Sequence, residues 1–185
     1  MASGLLVTLA ALLLNNASIN GLARLSLMRQ SQQQMQEEGA IATLPNGHYQ
    51  LCSKPDPMDW RDGAGVCFNF MKTGQNVEGY YGYPNSDEFV CVRGTAKTHL
   101  IQGEGLALSW PGAVWYKISD SESTWDVEGH LKIVGGETIR SEGKGDERID
   151  WLRFHKVILD ASNFYRYRSP KMTSPSDLCD WKIIN

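Results

Sequence analysis

Four times along this 185-residue chain a carboxylate stands beside an indole: Asp59-Trp60, Trp125-Asp126, Asp150-Trp151 and Asp180-Trp181. A fifth concentration, Tyr80-Tyr81-Gly82-Tyr83, runs directly into Asn85-Ser86-Asp87-Glu88. Flat rings next to carboxylates and amides supply the apolar and polar halves of a sugar or small-molecule site. The candidate ligand-binding residues are therefore Tyr80, Tyr81, Tyr83, Trp110, Trp151 and Asp87. Two carboxylates held about 5 Å or about 6.5–9.5 Å apart can also hydrolyse a glycoside. Neighbours in a strand point to opposite faces, however, so an acid next to a ring is first of all a strand pattern. No catalytic residue is assigned, and a hydrolase using paired acids is the weaker reading. The same alternation puts Tyr80 and Tyr81 on opposite faces, so at least one is expected outside or lining a cavity.

Other chemistry finds little support. His48, His99, His130 and His155 are scattered, with neither a His-x-x-x-His nor a His-Glu-x-x-His pattern, so no metal ligand set is read. There is no Gly-x-Ser-x-Gly elbow and no phosphate-binding glycine loop. Ser141-Glu-Gly-Lys144 falls in a polar glycine-rich stretch rather than at a helix start. Residues 84–88 offer hard oxygen donors for calcium but lack a spaced Asp-x-Asp pattern, and a self-capping turn explains them equally well. The net charge of −3 gives no electrostatic case for nucleic acid, and no cofactor is called for.

Compartment is the clearer signal. Residues 5–14 (LLVTLAALLL) form an uncharged apolar run of signal-peptide size, too short for the roughly 20 residues that cross a bilayer. Small residues follow up to Ala23, and cleavage there would leave Arg24 first. An uncleaved leader acting as a membrane anchor is the alternative. Cys52, Cys67, Cys91 and Cys179 all lie downstream, and an even count in an exported chain reads as two disulfides. The absence of any Cys-x-x-Cys argues against zinc. Of the three possible pairings, Cys67–Cys91 is favoured as a staple within one meander, with Cys52–Cys179 tying the ends together.

These residues need a scaffold, and the pattern supplies one. A signal peptide at 1–23 is followed by a Gln-rich tether at 24–44 and a single β domain at 45–185. Alternating runs at 47–51, 66–72, 77–83, 89–93, 98–110, 129–139 and 149–154 recur at spacings of about ten residues with glycine turns between them. That predicts an all-β, mainly antiparallel fold, a meander barrel or sandwich. Turns are expected at 73–76, 84–87 and 94–97, a bulge at the glycines of 98–110, and 156–161 is a candidate for a short C-terminal helix.

Val66–Tyr83 (VCFNFMKTGQNVEGYYGY), the FVCVRG and GEGLALSW segments and the closing SPSDLCDW resemble an uncharacterised family of exported cyanobacterial proteins. The likeness spans roughly 47–181 and implies an exported setting without an activity. The Gly47-His48-Tyr49 start followed by hairpins is loosely similar to lipocalin-like (calycin) barrels, which implies a closed meander able to hold one ligand. The leading expectation is an exported, non-enzymatic β domain that binds a small molecule or glycan. The rival is a structural or assembly protein at the envelope, docking on a membrane-associated partner.

Overall fold

The computed structural model describes residues 40–59, 63–109 and 120–184, together with Arg24. The leader, nearly all of the tether, Trp60 and Trp110 lie outside the described residues. Nine antiparallel strands form one sheet curled into a half-barrel. They are β1 (Gly47–Cys52), β2 (Cys67–Thr73), β3 (Asn76–Gly82), β4 (Phe89–Lys97), β5 (Leu100–Ser109), β6 (Ser123–Thr124), β7 (Leu131–Glu142), β8 (Ile149–Asp160) and β9 (Tyr165–Arg166). The described helix is scant. The C-terminal α-helix is a single turn, α1 (Pro175–Leu178), and three short 3-10 turns accompany the strands.

The sheet order is β6-β7-β8-β5-β4-β3-β2-β1-β9. Strands β1 to β5 are the expected meander. Thereafter the chain skips outward to β6 and β7, and β8 returns to fill the space between β7 and β5. Alternation then sorts the side chains. Tyr49, Phe68, Phe70, Val77, Tyr81, Val90, Val92, Ile101, Leu152, Phe154, Val157 and Leu159 fill the concave side, nearly all without solvent contact. Each large apolar side chain buried in this way contributes about 1.5–3 kcal/mol. Gly94 and Gly103 pair across β4 and β5 in a close backbone approach. A Cβ on Gly103 would stand 1.9 Å from the Arg93 carbonyl oxygen, so only hydrogen fits there.

Several boundaries depart from the sequence reading. Residues 94–97 continue β4 rather than turning. The turn is Thr98-His99, with Thr98 at φ 57°. Gly94 marks a close backbone approach, which a glycine-based reading mistakes for a turn. Residues 156–161 are strand up to Asp160, because β8 is hydrogen-bonded on both sides, to β5 and to β7. The folded unit opens at Ala40 instead of Pro45, since Ile41 and Leu44 bury themselves in the core and the Ala42 N–H bonds the Thr98 carbonyl.

All four cysteines are paired, but as Cys52–Cys67 and Cys91–Cys179. The favoured Cys67–Cys91 link cannot form. β3 lies between β2 and β4, which puts these residues two strand spacings, about 9–10 Å, apart. A disulfide needs its Cα atoms within about 7 Å. Cys52 instead faces Cys67 directly across β1 and β2. That pairing leaves Cys179 to join Cys91. Two disulfides accord with an oxidising compartment. Among the described residues no helix is long and apolar enough to cross a membrane.

Candidate functional site

The convex side of the sheet carries a different kind of surface. Residues 171–184 run across it as a strap that includes α1. Polar side chains of β1–β3 hold the strap by its backbone. Gln50, fully buried on β1, accepts from the N–H groups of Lys171 (2.7 Å) and Met172 (3.2 Å). Asn69, fully buried on β2, donates to the Thr173 carbonyl at 2.6 Å, and the Tyr80 hydroxyl donates to the same oxygen at 2.9 Å. His48 completes the group through Asn69 Oδ1 at 2.8 Å. Further along, the Cys91–Cys179 disulfide bolts the strap to β4, and the Trp181 ring covers the Arg93 guanidinium at 4.4 Å.

Beside the strap the strand register lays out a row of alternating charge. Glu78, Arg93 and Glu104 are cross-strand partners on β3, β4 and β5, with Arg153 and Glu137 facing each other on β8 and β7. Glu104 is the hub. Arg93 Nε donates to it at 2.6 Å, and Arg153 donates through Nη2 at 2.9 Å and Nε at 3.1 Å. Burial opposes its ionisation, yet the hydrogen bonds from Arg93 and Arg153 hold its carboxyl below the usual range.

Three grooves stand out on this surface. The largest, about 610 Å³, is floored by Glu78, Arg93, Gln102 and Glu104, edged by Met71, Thr73 and Thr95, and closed by Pro175 and Ser176 of the strap. A second, about 490 Å³, shares Glu78 and Ser176 with it and adds Asp180, Trp181 and Lys182. A cleft of about 190 Å³ lies between Trp151, Phe89, Leu106 and Asp180. The strands thus supply rigid polar groups, and the strap supplies the wall.

The six residues singled out from sequence do not converge. Tyr81 sits in the concave core and donates to Asp126 Oδ2 at 2.9 Å; burial, reinforced by Asp126, drives its hydroxyl far above the ordinary range. Tyr80 lies beneath the strap, its pKa also raised by burial. Both are buried, against the expectation that at least one stands outside or lines a cavity, because the strap covers the second face. Tyr83 is exposed, near Asp126 and Glu128, and Asp87 is exposed as well. Trp151 lines the small cleft, stacked by Arg140 at 4.8 Å. Trp110 is outside the described residues.

The acids beside indoles also scatter. Asp126 caps its own turn through the Gly129 and Leu131 N–H groups, Asp150 binds Ser141 and Arg148, and Asp180 accepts from the Lys182 N–H. Residues 83–88 form a self-capped turn, with Ser86 N–H on the Tyr83 carbonyl and Glu88 N–H on Ser86 Oγ. Among the described residues no three His, Cys, Asp or Glu side chains could hold a metal ion.

What the sequence reading missed is the ladder and the strap. The ladder had a signal: Glu78, Arg93, Glu104 and Arg153 sit at polar positions of alternating strands. Bringing them together required the strand register.

Comparison of the chain with protein-family models, with curated proteins and with solved structures gives no match. The functional reading is therefore built from the convex grooves themselves.

Proposed function

We propose that this chain is an exported, non-enzymatic binding module whose site is the convex groove beside the strap, and that its ligand is a small glycan or similarly hydroxyl-rich molecule. One observation carries the reading. The groove of about 610 Å³ presents a carboxylate pair (Glu78, Glu104), a guanidinium (Arg93), two amides (Asn76, Gln102) and three hydroxyls (Thr73, Thr95, Ser176) around one exposed thioether, Met71. That mixture matches a surface of many hydroxyls and few charges, and its volume lies in the range of small-ligand sites. The interior barrel site implied by the lipocalin likeness receives no such support, since the concave side is filled by the core. Export fits the two disulfides, with the leader at 1–23 removed so that the mature chain starts near Arg24.

Purification from the native host followed by native mass spectrometry is expected to show added mass from a retained small molecule. Gln102→Trp, which fills the groove from an exposed strand position, should abolish that mass while leaving the melting temperature unchanged. Retention of the same mass by this variant would sink the convex-groove site.

A second reading, docking to an envelope partner, draws on one end of the half-barrel. The loops at 53–66 and 125–130 are joined by the Val66 N–H bond to Glu128, and each exposes an apolar side chain fully, Met58 and Val127. Photo-crosslinking from position 127 in the native host tests it, and yields of monomer alone would remove it.

A further inference from the structure

The two disulfides are protected to very different degrees. Cys52 and Cys67 have no exposed surface and face each other across β1 and β2. Ala64 and Tyr167 pack with the pair, and Gln50 Nε2 donates to Cys52 Sγ at 3.3 Å. A reductant reaches those sulfurs only if β1 parts from β2, and the two strands are paired along the whole of β1.

Cys91–Cys179 joins a strand to the strap instead. Cys91 lies within β4, whereas Cys179 follows the single turn α1, is 7% exposed and lines the groove of about 490 Å³. Residues 174–184 add no strand to the sheet. The hydrogen bonds of this segment close on itself, from the Asp177 N–H to Ser174, the Cys179 N–H to Pro175 and the Lys182 N–H to Asp180. Lifting it breaks no ladder hydrogen bond, and segments of that kind open locally at a fraction of the cost of global unfolding. Residues 171–173 are held separately, by Gln50, Asn69 and Tyr80. The strap therefore has a pinned part and a bolted part, which meet at Ser174.

We propose that Cys91–Cys179 is a reducible latch, opened by a dithiol reductant while Cys52–Cys67 stays closed. One thiolate of the dithiol attacks Cys179 Sγ during a local opening, forms a mixed disulfide and expels the Cys91 thiolate. The second thiolate then closes the dithiol into its own disulfide and releases Cys179. Two electrons pass to the protein, and the two proton equivalents of the dithiol end on the Cys91 and Cys179 thiols. Residues 174–184 are then free to leave the convex face. Pro175 and Ser176 wall the larger groove, and Trp181 and Lys182 the smaller, so opening removes one side of each. Release of a bound ligand in this way rests on the groove reading above, whereas the latch itself does not.

The probe is dithiothreitol, added to the oxidised full-length chain without denaturant. Samples are quenched with N-ethylmaleimide over time, and the labelled cysteines are mapped by peptide mass spectrometry. Cys91 and Cys179 are expected to label about tenfold faster than Cys52 and Cys67. Amide exchange on the singly reduced protein should quicken across the strap, most at 174–184, with β2 to β5 still protected. Oxidised glutathione, added after the dithiol is removed, should restore both the bond and the protection. Trp181→Ala, which loosens the segment and leaves both disulfides in place, should speed reduction of Cys91–Cys179 about fivefold without changing Cys52–Cys67.

Labelling of all four cysteines in one phase, or of Cys52 and Cys67 first, overturns the latch. So does rapid reduction that leaves strap exchange unchanged, or a Trp181→Ala rate equal to that of the parent chain. Both readouts concern thiols and amides, so failure here leaves the glycan reading untouched.

Discussion

One sheet, two faces, and the same pleat beneath both. The concave face is dry and apolar, closed by its own curl, and it specifies itself through volume. The convex face is covered by a segment of the chain it did not fold with locally. It holds that segment through buried amides and a disulfide across 88 residues. Apolar packing fixes which face each strand buries, whereas Gln50 and Asn69 are satisfied only when residues 171–173 arrive at one place. The contrast teaches a division of labour. The inner face makes the sheet stable, and the outer face makes the strap unique, which is what a binding groove built against it requires.

The largest effect that can test this division comes from the inner face. Phe154 is fully buried and meets Trp125 edge-on. Phe154→Ala is expected to cost about 3–5 kcal/mol. Urea unfolding would show it as a lower midpoint with an unchanged slope, the whole sheet failing together. A loss below 1 kcal/mol would mean that the concave side is not the main source of stability.

Next in size is the staple of the outer face. Replacing Cys91 and Cys179 together by Ala removes a constraint worth about 2–4 kcal/mol in global stability. Its signature should differ in kind from that of Phe154→Ala. Amide exchange should quicken at residues 171–184 first, while β2 to β5 keep their protection up to the new global limit. Uniform acceleration throughout the sheet would show that the strap and the barrel are one cooperative unit, and the two-face distinction would go.

The two faces were not equally legible in the sequence. Alternation read through Phe68, Phe70, Val90 and Val92 announces a concave β core, because burial on one side leaves a period of two. The all-β class and the meander through β5 follow from that pattern and from the glycine turns. The strap leaves no such mark. Residues 171–184 have no periodicity, and what fixes them is the acceptor on Gln50 and the donor on Asn69, two polar residues in apolar strands. A buried polar residue in a strand predicts a partner without saying which one.

The disulfides failed for a related reason. Cys67 and Cys91 are close in sequence order, but β3 intervenes, and counting strands in the meander would have separated them. The tyrosine pair failed because the sequence admits one buried face, while the strap creates a second. Of the five candidate ligand residues that are described, Trp151 lines one of the three grooves and the others line none of them, and the ladder that floors the largest becomes visible only through cross-strand register.

A smaller perturbation probes the strap's polar anchor directly. Gln50→Leu keeps the volume and loses the acceptor, leaving the Lys171 and Met172 N–H groups without a partner. The expected cost is about 1–3 kcal/mol. In contrast with the core variant, it should release residues 171–174 without altering the concave aromatics, readable as a near-ultraviolet circular dichroism spectrum that stays native. An unchanged stability would make Gln50 a passive filler.

The smallest expected effects lie in pH, where the buried tyrosines and the Glu104 ladder act at opposite ends of the scale. Tyr81, in the concave core, and Tyr167, pushed up to about 12 by burial and by Asp56, both have folded values above the unfolded tyrosine value. Their contribution is complete below about pH 10 and is lost as the pH rises beyond it. Glu104, on the convex ladder, is held below its unfolded value, so its contribution is complete above about pH 4.5 and fades as the pH falls. Tyr81→Phe should therefore flatten the alkaline limb of a stability profile and leave the acid limb alone. Glu104→Gln should do the reverse. Because the Glu104 side chain keeps 23% of its exposure, solvent screening limits the change to about 0.5–1 kcal/mol, shrinking in high salt. Were Glu104→Gln to leave the acid limb as steep as before, the ladder would contribute nothing to holding the convex face. Its charges would then serve the groove alone, since a carboxylate that does not stabilise the fold is free to meet a ligand.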